Sequence, residues 1–221
     1  MKALAVFDLD GTLVDSRQDL VTSANDMLAS FGASPLQTDA IAGFVGDGAK
    51  MLVARSLKAA GVPPGDLGIA LERFLEIYNG RLLETTRPYD GIPELIDDIV
   101  DLGVRLGVIT NKPEAPTLKI LDAFGLTMSF CWIIGGDDVR FARKPDPASL
   151  NWLVADAGAD PARTLYIGDS QIDTDTARAA GTKFCLAQYG FGQVRGAIQL
   201  REGEFSAESA RDILPFVEGL V

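Results

Sequence analysis

The 221-residue chain contains no histidine, which excludes Ser-His and Cys-His hydrolases, histidine phosphatases and the usual His-rich zinc sites. Cysteine is scarce as well. The two residues, Cys131 and Cys185, stand in apolar surroundings, and neither is followed six positions later by an arginine that could hold a phosphate over a thiolate. Both read as small buried hydrophobes of a reducing compartment. No apolar run approaches the roughly 20 residues needed to cross a bilayer, and no signal peptide is legible ahead of a first strand that starts near Lys2. A cytoplasmic location with no membrane partner is therefore expected. Positive charge is in deficit: 20 Lys and Arg against 31 Asp and Glu leave a net charge of −11. Such a balance repels polyanions and argues against nucleic acid as a partner. An anionic small substrate would need a local positive site, built from a metal and a few Lys or Arg residues. The hydrophobic content of 47% is enough for the core of one large domain or of a domain with an insert.

With histidine and reactive cysteine gone, any nucleophile, acid or base must come from Asp, Glu, Lys, Tyr, Ser or Thr. The best-placed candidates lie in V-F-D-L-D-G-T-L-V-D, Val6 to Asp15, where an apolar strand ends in Asp8 and Asp10 and Gly11 supplies the turn. A lone D-x-D is more often a solvated loop. Two acids at the edge of a core, with a sharp turn behind them, are costly unless a cation shares them.

Strands and helices alternate along the chain except in one region. Ser16 to Gly32 reads as a helix with Ser16 as cap and Asp19 three residues later. Gly43 to Gly61 holds a V-G-D-G-A-K turn opening a second helical stretch, and Leu67 to Leu83 a third. No strand-like run appears between Ser16 and Thr86, so residues 16–85 read as a small helical domain inserted into a core formed by 1–15 and 86–221. From Gly91 the alternation resumes, with strands expected at Arg105–Ile109, Phe130–Gly135, Thr164–Ile167 and, last, Lys183–Leu186. Helices are expected between them, and a closing one over Ala207 to Glu218. Repeated βα units imply an α/β fold with a doubly wound, Rossmann-like parallel sheet.

In such sheets ligands bind beyond the carboxyl ends of the strands. There the sequence sets Asp8 and Asp10, then Thr110, Asn111 and Lys112, then Arg143 and Lys144, and finally Asp169 and Asp173. Acids, one or two lysines and a small hydroxyl converging on one rim have the composition of a metal-assisted phosphoryl site. Lys112 and Arg143 read as ordinary surface charges. Phe44, Met51, Leu52 and Phe74 recur at helical spacings and read as the core of the insert.

The strings D-L-D-G-T, V-I-T-N-K, R-K-P-D-P and I-G-D-S-Q-I-D occur in that order, and together they resemble the four motifs of the haloacid dehalogenase-like hydrolase superfamily. The helical insert between the first two matches the cap of its first subclass. V-G-D-G-A-K, T-N-K-P, I-G-G-D-D-V and G-D-S-x-x-D followed by A-R-A-A-G are closer to its phosphoglycolate phosphatase branch. The resemblance implies a phosphomonoester hydrolase that works through an aspartyl-phosphate. Asp8 would be the nucleophile, Asp10 the acid and base with a pKa raised by crowded acids, and Lys144 the charge between nucleophile and phosphate. It further implies Mg²⁺ as cofactor, held by the side chains of Asp8 and Asp169 and the carbonyl of Asp10, with Asp173 behind them. Thr110 and Asn111 would hold phosphoryl oxygens. In the cap, Lys50 and Arg55 are candidates to meet the substrate, although a separation of five places them on different helix faces. The expected partner is a small phosphorylated metabolite, and the chain a monomer or homodimer.

Other activities share these motifs. A dehalogenase has no use for Asp10 or Mg²⁺, whereas a pyrophosphatase, a nucleotidase or a sugar phosphomutase could use the same core. A protein that only senses Mg²⁺ or phosphate would be expected to lose one of Asp8, Asp10, Lys144 or Asp169, and none is lost.

Overall fold

A computed structural model of the protein describes residues 2–63, 65, 67–192 and 198–221. Its centre is β1, Lys2–Phe7, whose residues Leu4 to Phe7 are fully buried. A strand that is apolar on both faces must be covered on both. Ala5 and Phe7 belong to one core and Leu4 and Val6 to the other, on opposite sides of the sheet. The remaining strands are β2 (Val14–Asp15), β3 (Arg87–Pro88), β4 (Arg105–Ile109), β5 (Trp132–Ile134), β6 (Ala159–Gly168), β7 (Lys183–Ala187) and β8 (Phe205–Ala207). Six of them form one parallel sheet in the order β5-β4-β1-β6-β7-β8.

Nine helices are described: α1 (Arg17–Ser30), α2 (Thr38–Ala42), α3 (Ala49–Ala59), α4 (Leu67–Arg81), α5 (Ile92–Asp101), α6 (Glu114–Ala123), α7 (Ala148–Ala157), α8 (Gln171–Ala180) and α9 (Leu214–Glu218). Helix α5 brings Ile92, Leu95, Ile96 and Ile99 to the Phe7 face, and α7 brings Leu150, Leu153 and Val154 to the Leu4 face. These are i, i+3, i+4, i+7 and i, i+3, i+4 stripes, the pattern of a helix with one buried side. The α/β fold with its doubly wound parallel sheet is as the βα alternation implied.

Helices α1 to α4 follow β2 and precede β3, and those two short strands pair antiparallel, Val14 with Pro88 and Asp15 with Arg87. The same junction is tied by Asp19, which accepts five hydrogen bonds from four donors, the amides and hydroxyls of Thr85 and Thr86, at 2.5–3.1 Å.

Several local expectations are corrected. Ser16 makes no side-chain cap to α1; its hydroxyl donates instead to Asp10 at 2.5 Å, and Asp19 is taken by Thr85 and Thr86, partners that outcompete a capping box. Lys183–Ala187 is not the last strand, because β8 adds beside it at the sheet edge, and the closing helix divides into a 3₁₀ turn at Ala210–Ile213 and α9. Cys131 is exposed whereas Cys185 is buried. Met51 points outward, 42% exposed, and does not belong to the core. Among the described residues no helix is long and apolar enough to cross a membrane.

Candidate active site

Parallel pairing brings the carboxyl ends of β5, β4, β1 and β6 to one edge of the sheet. The residues next after β1, β4 and β6 are Asp8, Thr110 and Asp169, which stand side by side because these strands are neighbours in the order β4-β1-β6. Chain entry from β1 into the insert turns at Gly11 (φ 87°), where a Cβ would stand 1.9 Å from Asp169 Oδ2. Only glycine provides both the backbone angle and the space. The edge opens into a cleft of about 760 Å³ with its solvent-filled mouth included. The core lines it with Asp8, Asp10, Thr110 to Pro113, Lys144, Asp169 and Ser170.

Lys144 is 6% exposed, and its Nζ lies 2.8 Å from Asp8 Oδ1 and 2.6 Å from Asp173 Oδ1. Asp173, fully buried on α8, is held by the amide and hydroxyl of Ser170 at 3.1 and 2.5 Å through a capping box. It thus anchors Lys144 from behind. Burial alone would push the lysine down, but the carboxylates of Asp173 and Asp8 keep its pKa well above the ordinary value. Burial raises Asp8 to about 6 against the opposing pull of Lys144, which still leaves it mostly ionised at neutral pH. Asp169 is pushed well above the carboxylate range, first by burial and then by the charges of Asp173 and Asp8.

Asp8, Asp169 and Asp173 place carboxylate oxygens within 4.8 Å of one another, all buried. Both oxygens of Asp173 already have donors. Lys144 occupies Oδ1 of Asp8, and the amide of Gly192 occupies Oδ2 of Asp169 at 2.6 Å. Asp8 Oδ2 and Asp169 Oδ1 therefore have no protein donor among the described residues. Two crowded, desolvated carboxylates with a free oxygen each are a fitting donor set for a hard divalent cation such as Mg²⁺.

The surroundings of Asp10 differ from expectation. Its carboxylate meets no crowd of acids but the hydroxyl of Ser16 and the ammonium of Lys112, at 3.0 and 3.1 Å from its two oxygens. Lys112 is no surface charge: it is 7% exposed, with Nζ also 2.5 Å from the hydroxyl of Tyr78 on α4. Burial opposes its charge, while Asp10 and Tyr78 hold it above the ordinary lysine value. A single lysine after Asn111 carries no sequence signal of direction; only the register of β4 beside β1 aims it at Asp10.

Thr110 lies in the cleft with its Oγ1 accepting from the amide of Lys112 at 3.2 Å. The side-chain amide of Asn111 is committed to the carbonyls of Gly46 and Lys144, and its Oδ1 is buried without a partner. The Asn111 side chain is thus not available as a donor to phosphate. Neither Lys50 nor Arg55 lines the cleft. Lys50 is exposed, and the Arg55 guanidinium is spent on the Phe44 carbonyl at 3.2 Å and on the carboxylate of Asp47, so it braces the 44–48 loop. Arg143 is exposed as expected, its Nε donating to the Gly136 carbonyl at 2.7 Å. Leu52 and Phe74, besides being buried in the insert, form part of the cleft wall.

The chain matches the family model of haloacid dehalogenase-like hydrolases over residues 5–187. It is similar to phosphoglycolate phosphatase 1 of Pseudomonas aeruginosa, with 37% identity over 217 residues, 96% of this chain and 78% of that protein. It is also 37% identical over 196 residues to phosphoglycolate phosphatase of Agrobacterium fabrum, covering 88% of this chain and 84% of the relative. Among solved structures it resembles a predicted phosphoglycolate phosphatase from Haemophilus somnus, with TM-score 0.89 and 29% identity over 97% of each chain. The match extends over strands β1 to β7 and all four strand ends that build the cleft, and on this ground the chain belongs to the haloacid dehalogenase-like hydrolases.

Proposed function

We propose that this hydrolase is a Mg²⁺-dependent phosphatase that converts 2-phosphoglycolate to glycolate and phosphate through an aspartyl-phosphate on Asp8. The observation that carries the reading is the setting of Asp8 at the end of the central strand, between Lys144 and Asp169, in a cleft at the sheet edge. Relatives named phosphoglycolate phosphatase, at 36–40% identity, support the substrate.

An oxygen of Asp8 attacks phosphorus, and the bond from phosphorus to the ester oxygen breaks. Asp10 gives the departing alkoxide its proton. Water then attacks the same phosphorus, Asp10 takes a proton from it, and Asp8 is released with inorganic phosphate. Lys144 holds the attacking carboxylate in place and offsets the charge that gathers at the phosphoryl oxygens. The Thr110 hydroxyl and backbone amides after β4 are the donors left for those oxygens, since the Asn111 side chain is occupied. Asp8 and Asp169 with their side chains, and Asp10 with its carbonyl, would hold Mg²⁺. When bound, the ion neutralises the buried carboxylates and the phosphate dianion and aligns them for in-line displacement. Residues 16–85 serve as a cap over this core, limiting how much solvent reaches the nucleophile.

A panel of small phosphomonoesters, assayed by phosphate release with Asp8→Asn as control, tests the reading. Asn is nearly isosteric but a poor nucleophile, so we expect a loss of about 10⁴-fold or more with an unchanged circular dichroism spectrum. Phosphate release near the wild-type rate in that variant would eliminate the covalent mechanism. Equal kcat/KM for phosphoglycolate and generic esters would eliminate the substrate assignment and leave the phosphatase.

A further inference from the structure

A two-carbon phosphorylated acid offers a protein only two handles, its phosphoryl group and its carboxylate. Lys144, Thr110 and the backbone amides after β4 meet the first. For the second, the cleft has few resources. From the helical segment it receives Leu20, Val45, Leu52, Phe74 and Leu75, all apolar, and the only polar side chains from that side are Tyr78 and the neutral Asn79, among the described residues. Among the described residues its lining cations are Lys144 and Lys112. Lys144, bonded to Asp8 and Asp173, stands beside the nucleophile and belongs to the phosphoryl end.

Lys112 has capacity to spare. Its ammonium carries three hydrogens and contacts the two oxygens of Asp10 at 3.0 and 3.1 Å and the Tyr78 hydroxyl at 2.5 Å; one hydrogen shared between the near-equidistant Asp10 oxygens leaves a third for a ligand. The Tyr78 oxygen accepts from Lys112, so its own hydrogen is free to donate. The phenol ring is fixed by stacking on Phe74, with centroids 5.6 Å apart, and by the Lys112 ammonium lying 4.6 Å from its own centroid. Two adjacent donors, one of them charged, on rigid supports and in a desolvated wall, match the two oxygens of a carboxylate.

We propose that Lys112 and Tyr78 together form the receptor for the substrate's carboxylate, and so set the preference for phosphorylated acids over neutral phosphate esters. The inference rests on the phosphoglycolate reading. It gives the T-N-K string a chemical purpose: the threonine serves the phosphoryl group, and the lysine the other end of the substrate. Because Lys112 follows β4 of the core and Tyr78 sits on α4 of the insert, a bound carboxylate also bridges the two halves of the cleft. A phosphate ester without that group would lack this bridge.

The test compares kcat/KM for 2-phosphoglycolate and for ethyl phosphate, an ester of similar size with no carboxylate, in the wild type, Lys112→Met and Tyr78→Phe. Loss of the Lys112–Asp10 contact slows both substrates, and this common loss cancels in the ratio. We expect the preference for phosphoglycolate to fall at least about tenfold in Lys112→Met, the scale of one hydrogen bond to a charged group. In Tyr78→Phe, which keeps the ring and its stacking, it should fall at least about threefold. Should Lys112→Met fail to fold by circular dichroism, Tyr78→Phe decides alone. If the wild type prefers phosphoglycolate and the folded variants keep that preference while all rates fall together, Lys112 is only a partner of Asp10 and the inference is overturned. A wild type indifferent to the carboxylate would overturn the substrate reading and this inference together.

Discussion

The side-chain amide of Asn111 donates to the carbonyl of Gly46 at 2.8 Å, joining the loop after β4 to the loop before α3 across the cleft. Its second hydrogen goes to the Lys144 carbonyl at 3.0 Å, so one amide spans the insert, the β4 end and the segment that carries Lys144. Asn111 is on this geometry a latch rather than a phosphate ligand.

Removing the latch should lower the fraction of molecules with the cleft assembled, which weakens apparent affinity by that fraction. Two hydrogen bonds at about 0.5–1.5 kcal/mol each predict that Asn111→Ala raises KM for every phosphomonoester by roughly 5- to 100-fold, with a smaller effect on kcat. Amide hydrogen exchange across residues 44–49 should accelerate in the same variant. Unchanged exchange there would show that the Asn111–Gly46 contact has no share in holding the insert.

Asn111 also illustrates where sequence reasoning stops. Strand β4 was legible residue for residue, because R-L-G-V-I is an apolar run bounded by turn signals and buried on both faces. That Thr110 and Asn111 at its end line the cleft was legible, since parallel βα topology sends all such ends to one rim. Their directions were not. Whether Asn111 faces a phosphate or a carbonyl, and whether Lys112 faces solvent or Asp10, depends on partners 65 and 102 residues away. The same holds for Arg55, whose partner Asp47 lies in a loop with no periodicity to place it. Strand β8 escaped notice because three residues, F-S-A, at a sheet edge carry too little pattern to register.

Asp19 supplies a pH-dependent part of the stability. Burial would raise its carboxyl, but the hydrogen bonds from Thr85 and Thr86 outweigh burial and hold it below the usual carboxylate value. A group whose folded pKa is depressed stabilises the fold above its unfolded value, about 3.9, and that contribution disappears as pH falls through the folded value. The wild type should therefore lose stability below about pH 4. Asp19→Asn should be less stable by about 1–3 kcal/mol at pH 7, and the gap to wild type should narrow on acidification. Urea midpoints at pH 7 and pH 3.5 measure this. A gap that stays constant between them would remove Asp19 from the acid response.

The acidic centre gives the prediction most directly open to a test that does not depend on turnover. Asp8 and Asp169 are buried, close together and supplied with too few donors of their own, so a divalent cation that binds the folded state should stabilise it by mass action. At a concentration near 100 times its dissociation constant the gain is about 2.7 kcal/mol, which for a chain of this size corresponds to a rise in Tm on the order of 5–10 °C. Mg²⁺ should produce that rise in the wild type, and EDTA should reverse it together with activity. Asp169→Asn, which removes one charge while keeping the shape, should be at least as stable as the metal-free wild type, because it relieves repulsion among the three acids. It should also gain little from Mg²⁺. If the variant's Tm climbs with Mg²⁺ as steeply as that of the wild type, the ion binds elsewhere and Asp169 is not among its ligands.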